Sequence, residues 1–253
     1  MIAFHVLIPA RLESSRLPEK MLADVAGKPL VVRVWERARS SGAQSVHVAT
    51  DHARIADAVL AAGGQVVRTG SDHDSGTSRL AEAVDRLGLD DSALVVNVQG
   101  DEPAVPVACI RQLAQLLQHH PETDLATLWM PITIRDEWQD PNVVKLLTDH
   151  QGLALYFSRA PIPAMRASGW PERLARRHVG MYGYRAGSLR CWSELPTSAL
   201  AEAEALEQLR ALQAGWKIIC EQACAPIPAG VDTLEDLEAM RRWFGEHGAI
   251  EGD

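Results

Sequence analysis

The stretch Pro9-Ala10-Arg11-Leu12-Glu13-Ser14-Ser15-Arg16-Leu17-Pro18-Glu19-Lys20 decides how the rest of the chain is read. It follows a hydrophobic run, Ile2 to Ile8, that predicts a buried strand. A loop leaving the carboxyl end of a central strand is where open α/β sheets place their ligands. This loop carries Arg11 and Arg16 between Pro9 and Pro18, and Lys20 just beyond, with Ser14 and Ser15 as further donors. Such cations suit a triphosphate, because guanidinium forks match phosphate oxygens. The competing reading is a solvated basic loop.

Neither G-x-G-x-x-G nor G-x-x-x-x-G-K-[ST] follows the first strand, so dinucleotide binding and a backbone-cradled ATPase loop are disfavoured. The grip on a ligand must then come from side chains. Downstream, helical and strand patterns alternate. Leu30, Val31, Val34, Trp35 and Ala38 recur at helical spacing up to Gly42, and Val46–Ala49 reads as a strand. A helix over Ile55–Ala62, a strand at Val66-Val67, a helix carrying Leu80, Ala83, Val84 and Leu87, and a strand over Ala93–Val98 follow. Pro106 then opens a helix with Ile110, Leu113, Leu116 and Leu117 on one face. This order predicts an α/β fold with a mainly parallel, Rossmann-like central sheet flanked by helices.

Beyond residue 123 the rhythm changes. A strand over Asp124–Ile132, a hairpin of Val143–Leu147 and Leu153–Phe157, and an irregular Pro161–Arg176 are expected. Then come a half-buried strand, His178–Tyr184, one amphipathic helix over Glu202–Leu212 closed by Gly215, and a strand over Trp216–Cys220. A last helix follows Asp232-Thr233. The reading is a single α/β domain over 1–253, made of a half at 1–123, a smaller mixed β subdomain at 124–229 and a turn and helix at 230–253.

Composition narrows the function. The 253 residues are 47% hydrophobic and 23% charged, which is ordinary for a globular chain. A net charge of -8 argues against a nucleic-acid backbone as partner, so anionic ligands must be met by local cations. No apolar run is long enough for membrane insertion, and the first residues lack a signal-peptide pattern, so a cytoplasmic location is expected. Cys109, Cys191, Cys220 and Cys224 include no C-x-x-C pair and are expected to be reduced and mostly buried.

Four constellations could carry chemistry. Ser75-Gly76-Thr77-Ser78-Arg79 offers small donors and a cation at a helix start, suited to base, ribose or phosphate; Ser75 or Thr77 could equally cap the helix. Asp101 follows the Ala93–Val98 strand and Asp232 precedes the last helix, and two such carboxylates across one cleft would suit magnesium. The alternatives are a turn role for Asp101 and a capping box headed by Asp232. His178 lies on a strand with Tyr182 and Tyr184, where a structural histidine is the ordinary case. Glu207, Gln208 and Arg210 read by default as a solvated helix face. No Ser–His–Asp order with a nucleophile elbow is present.

Taken together, these motifs resemble one family. Ile8-Pro9-Ala10-Arg11, Ser15-Arg16-Leu17-Pro18, Lys20, Ser75-Gly76-Thr77 with Arg79, and Val96-Asn97-Val98-Gln99-Gly100-Asp101-Glu102-Pro103 follow the order of the 3-deoxy-manno-octulosonate (Kdo) cytidylyltransferases, or CMP-Kdo synthetases. Pro141-Asn142-Val143-Val144-Lys145, Ala154–Arg159, His178–Tyr182, Leu206–Arg210 and Gly230-Val231-Asp232-Thr233 continue the match over nearly the whole chain.

The resemblance implies a nucleotide-diphospho-sugar transferase fold, usually as a homodimer. It also implies formation of CMP-Kdo and pyrophosphate from CTP and Kdo with Mg2+, for lipopolysaccharide. It implies that 1–123 binds nucleotide, 124–229 binds sugar and dimerises, and 230–253 supplies a metal ligand. Arg11 and Lys20 would hold the triphosphate with Arg16 nearby, and Ala10, Ser75, Gly76 and Arg79 would lie near the nucleotide. Asp101 and Asp232 would carry magnesium. Gln99, Arg159, His178, Tyr182, Glu207 and Gln208 would face the sugar acid. No dedicated base stands out, so the metal is expected to serve the attacking hydroxyl. Rival readings are another sugar acid as substrate, such as 8-amino-Kdo or a sialic acid, and a non-catalytic nucleotide-binding regulator.

Overall fold

The computed structural model describes residues 2–14, 16–166 and 169–247, so the candidate donor Ser15 lies outside the described residues. In chain order the first half comprises β1 (His5–Pro9), β2 (Asp24–Val25), β3 (Lys28–Pro29), α1 (Leu30–Arg39), β4 (Ser45–Thr50), α2 (Ala53–Ala61), β5 (Gln65–Arg68), α3 (Gly76–Arg86), β6 (Leu94–Asn97) and α4 (Val107–His119). The second half comprises β7 (Leu125–Pro131), α5 (Arg135–Gln139), β8 (Lys145–Thr148), β9 (Ala154–Ser158), β10 (Arg176–Arg185), α6 (Ala186–Cys191), α7 (Ala199–Glu204), α8 (Gln208–Gln213), β11 (Ile218–Gln222) and α9 (Leu234–His247).

Among the described residues, nine strands form one sheet. Seven follow the order β11-β7-β10-β6-β1-β4-β5, while β8 pairs with β10 and β9 with β8. Strands β5, β4, β1 and β6 run parallel. Successive side chains enter opposite cores, which explains why β1 is apolar from Val6 to Pro9. Val6 and Ile8 enter the core beneath α1 and α4, and Leu7 enters the opposite core with Leu80, Val84 and Leu189.

The chain passes from β1 to β4 and β5 on one side, then returns to lay β6 along the other side of β1. The strand order reverses there, and such a reversal opens a crevice at the strands' carboxyl ends. The basic loop leaves β1 at that point, and Val98–Asp101 leaves β6 beside it.

Residues 124–229 do not build a separate sheet. β10 joins β6 antiparallel, β7 joins β10, and β11 joins β7 in parallel, so all three extend the central sheet. Only the β8–β9 hairpin leaves its line.

Two expectations need correction. The single helix over Glu202–Leu212 is instead α7 and α8, broken at Ala205, whose φ is 49°. The break buries Leu206 and lets the Arg159 guanidinium reach the carbonyls of Glu204 and Ala205. Cysteine burial is also only half as expected: Cys109 and Cys220 are buried, whereas Cys191 and Cys224 are exposed. Among the described residues, no helix is long and apolar enough to cross a membrane.

The left-handed backbone at Ala205 carries a steric penalty of about 1–2 kcal/mol that glycine lacks. Ala205→Gly is therefore expected to raise the urea midpoint by the equivalent of about 0.5–1 kcal/mol with an unchanged slope. A loss of about 1 kcal/mol would instead indicate a continuous helix, where glycine is the poorer residue.

Candidate active site

Three distant segments meet on one ammonium group. Lys20 opens a 3-10 turn, Lys20–Leu22, anchored by the buried Met21. Its side chain is only 10% exposed. Nζ donates to Asp101 Oδ2 at 2.7 Å, Asp232 Oδ1 at 2.9 Å and the Val231 carbonyl at 3.1 Å. All three donors of the ammonium are used. Burial alone would lower its pKa, but Asp101 and Asp232 outweigh that and hold it above the ordinary lysine value. Arg16 Nη2 reaches Asp232 Oδ2 at 3.0 Å from the solvent side. That exposed pair adds little stability of its own.

Local structure explains how both carboxylates arrive. Gly100 precedes Asp101 where β6's loop crosses the end of β1; a Cβ there would lie 2.9 Å from the Pro9 carbonyl and 3.0 Å from Met21 Sδ. Val231 is fully buried in a small core with Val25, Leu30, Leu237 and Met240. Its N–H donates to the Asp101 carbonyl at 2.8 Å, fastening the two segments backbone to backbone. The capping box at α9 is headed by Thr233, not Asp232. Asp236 N–H donates to Thr233 Oγ1, and Asp236 Oδ2 accepts from the N–H groups of Asp232 and Thr233. The Asp232 carboxylate is thereby left for Lys20 and Arg16. Glu102 adds little charge beside them: burial, then the Asp101 charge, pushes its carboxyl pKa up to about 8.

These groups stand in a cleft of about 250 Å³ at the β1–β6 crevice. Ala10, Arg11, Arg16, Lys20, Ser75, Gly76, Arg79, Gln99, Asp101 and Asp232 all line it. Ser75 does two things at once: it lines the cleft, and its Oγ accepts from Ser78 N–H in a capping box at α3. Arg79 is a buried, fixed cation, with Nη1 on Thr69 Oγ1 at 2.6 Å and Asp51 Oδ1 at 2.9 Å.

His73 and Asp74 also line the cleft, although sequence reading gave them no site role. The signal was their place in the polar loop before α3. A His73 ring nitrogen lies 2.6 Å from Glu82 Oε2. Burial would raise Glu82's pKa, but hydrogen bonds from Gly70, His73 and Arg86 bring it down to about 2.

The residues expected to face a sugar are arranged differently. Apart from Gln99, they do not line this cleft. Gln99 Nε2 donates to the Gly180 carbonyl at 3.4 Å, joining the cleft to β10. From there an aromatic row runs from Phe157 through His178, Tyr182, Tyr184 and Trp192 to Trp216, with ring centroids 4.9–6.4 Å apart. Burial pushes the His178 pKa down to about 3, so the imidazole is neutral, and Nε2 lies 3.0 Å from Thr127 Oγ1. Burial also raises Tyr182, reinforced by Tyr184 and Glu207.

The solvated-face reading of α8 needs correction. Glu207 Oε2 accepts from Thr77 Oγ1 at 3.1 Å and Oε1 from Trp192 Nε1 at 3.0 Å, and Gln208 is buried. Thr77 thus ties the start of α3 to α8, a long-range role that its capping position did not reveal. Arg159 spends its guanidinium on the carbonyls of Glu204, Pro141 and Ala205. The fully buried Lys145 donates to the carbonyls of Asp140, Val143 and Arg159. Both therefore build the scaffold around the site.

The paired carboxylates fit a hard divalent ion. Their oxygens already converge on one cation, and magnesium commonly takes one or two carboxylates with phosphate oxygens and water. Among the described residues, no group of three or more His, Cys, Asp or Glu side chains is placed to hold a metal ion.

A mixed, mostly parallel sheet with cations and paired carboxylates at its reversal point has the layout of a nucleotidyltransferase. The family model for cytidylyltransferases matches residues 5–218. A 3-deoxy-manno-octulosonate cytidylyltransferase of Francisella philomiragia is 49% identical over 248 residues, covering 96% of this chain and 99% of the relative. One from Nitrosococcus oceani is 50% identical over 249 residues, covering 95% and 96%. A solved CMP:2-keto-3-deoxy-manno-octonic acid synthetase complexed with CTP superposes with a TM-score of 0.90 at 39% identity, over 97% of this chain and 99% of that one. The chain belongs to the 3-deoxy-manno-octulosonate cytidylyltransferase family. A cytidylyltransferase of Leptospira borgpetersenii, 15% identical with a TM-score of 0.60 over 97% of this chain and 88% of that one, shares the fold.

Gly100→Ala tests the close approach that delivers Asp101. Overpacking against a backbone carbonyl is expected to destabilise the protein by about 1–3 kcal/mol. Nucleotidyl transfer, read as pyrophosphate release, should fall at least tenfold because Asp101 is displaced. Wild-type activity in a folded Gly100→Ala protein would show that the contact does not position the carboxylate.

Proposed function

We propose that the protein is a CMP-Kdo synthetase, converting CTP and 3-deoxy-D-manno-octulosonate into CMP-Kdo and pyrophosphate for lipopolysaccharide assembly. The observation that carries this reading is the Lys20 ammonium bonded to both Asp101 and Asp232 in a cleft also lined by Arg11, Arg16 and Arg79. The family relatives named above support the choice of substrates.

In this reading the anomeric hydroxyl of the sugar attacks the α-phosphorus of CTP in line, and pyrophosphate leaves. Such a transfer depends on positioning and charge neutralisation rather than on a covalent protein intermediate. Arg11 holds the triphosphate with Arg16 beside it, and the Lys20 ammonium, whose hydrogen bonds go to Asp101, Asp232 and the Val231 carbonyl, offsets charge on the departing pyrophosphate through space. Ala10, Ser75, Gly76 and the fixed Arg79 embrace the nucleoside end. Gln99 stands between nucleotide and sugar. His178, Tyr182, Glu207 and Gln208 face the sugar acid, and Arg159 holds that wall in place through the carbonyls of Glu204, Pro141 and Ala205. Asp101 and Asp232 would hold Mg2+, which would supply charge neutralisation and favour the ionised form of a hydroxyl.

We assign nucleotide binding to 1–123, sugar binding and dimerisation to 124–229, and the second metal ligand to 230–253. Exposed Ile134, Leu155 and Leu174 in the middle segment support a homodimer, and a cytoplasmic location suits a chain using CTP.

The test is pyrophosphate release across CTP, UTP and ATP with Kdo, 8-amino-Kdo and N-acetylneuraminate. CTP with Kdo should be fastest by at least about tenfold; a preference for another sugar acid or the absence of turnover would overturn the reading. Asp101→Asn should lower turnover by about 10²–10³ with much less effect on CTP binding, whereas Lys20→Ala should damage both. Near-normal turnover by Asp101→Asn at limiting magnesium would remove Asp101 from its role.

A further inference from the structure

Away from the cleft, two sulfurs face each other. Cys109, on α4, and Cys224, just after β11, have Sγ atoms 3.8 Å apart although 115 positions separate them. The segment bearing Cys224 is seated firmly on α4. Gln112 Nε2 donates to Glu221 Oε2 at 2.7 Å and to the Gln222 carbonyl at 2.8 Å. Its Oε1 accepts from Cys224 N–H at 2.9 Å. Gln112 lies one helical turn from Cys109, so the same face of α4 grips the segment and holds the two thiols in register. A disulfide bond is about 2.0 Å long, and two sulfurs already in van der Waals contact have only a short way to move to form one.

The two thiols are unequal. Cys224 is exposed, while Cys109 is buried. Burial pushes the Cys109 thiol up to about 11, which leaves it protonated and unattractive as a first target. An oxidant in solution thus meets Cys224 first, with a second sulfur already in contact behind it.

We propose that Cys109 and Cys224 form a reversible intramolecular disulfide, with Cys224 attacked first by a peroxide and Cys109 acting as the resolving thiol. The Cys224 thiolate displaces water from a protonated peroxide, becoming a sulfenic acid while the peroxide is reduced by two electrons. Cys109 then attacks that sulfur; the S–S bond forms, the S–O bond breaks, and a second water leaves with the Cys109 proton. The bridge has a structural consequence. Cys109 stands eight residues after Asp101, and Cys224 eight before Asp232. It therefore clasps together the two segments that deliver the paired carboxylates, and it protects Cys224 from irreversible oxidation. Because the segments are already in contact, the clasp preserves the site.

The full chain is treated with stoichiometric hydrogen peroxide, alkylated and mapped by non-reducing peptide mass spectrometry. Titratable thiols should fall from four to two, with a Cys109–Cys224 cross-link that dithiothreitol reverses. Closing so long a loop should raise the melting temperature by about 5 °C or more. Pyrophosphate release should stay within about twofold of the reduced protein. Cys224→Ser, at an exposed position, should fold normally and show neither the cross-link nor the thermal shift. Recovery of Cys224 as sulfinic acid with Cys109 freely alkylated would overturn the proposal. So would a bridge through Cys191, or a Cys109–Cys224 bridge that lowers the melting temperature or abolishes turnover.

Discussion

The site is assembled around a single buried ammonium. Two aspartates brought so close would repel each other, and the attraction of Lys20 to both is what makes their convergence stable. Removing one partner from such a set leaves the other charges uncompensated, so the three behave as a unit. The Val231 carbonyl completes the ammonium's hydrogen bonds, and the Val231 N–H fastens its segment to the Asp101 carbonyl. Backbone and side chains therefore impose the same geometry.

The fold serves that convergence from below. The reversal of strand order between β1 and β6 brings a basic loop and an acidic loop out of the sheet side by side. Gly100 permits the close crossing, and the small core around Val231 carries the C-terminal turn back across the chain. Cations from β1's loop and the start of α3 line this crevice together with both carboxylates. Because the chain is acidic overall, the cleft's local charge has to do the attracting.

Much of this could be read in the sequence, for physical reasons that differ by element. The parallel strands are buried on both faces, so β1 and β6 stand out as apolar runs, and the cations after β1 are visible without any coordinates. Long-range partnerships are what pattern reading cannot see. Ala205 looks like a good helix residue, yet Arg159 takes up the carbonyl that the break exposes. Asp232 has the spacing of a cap, but Thr233 and Asp236 close the box instead. Glu207 has the look of a solvated face until Thr77 and Trp192 are found on its two oxygens. Arg159 itself fits a family motif, while its hydrogen bonds hold backbone together. In each case the deciding partner is remote in sequence.

We infer that Asp101 and Asp232 act as one functional unit through Lys20. A double-mutant cycle on pyrophosphate release, with Asp101→Asn, Asp232→Asn and their combination at saturating magnesium, tests it most directly. The double variant is expected to lose no more than about threefold beyond the worse single variant, since either change disables the shared site. Losses that multiply across the two positions would contradict it.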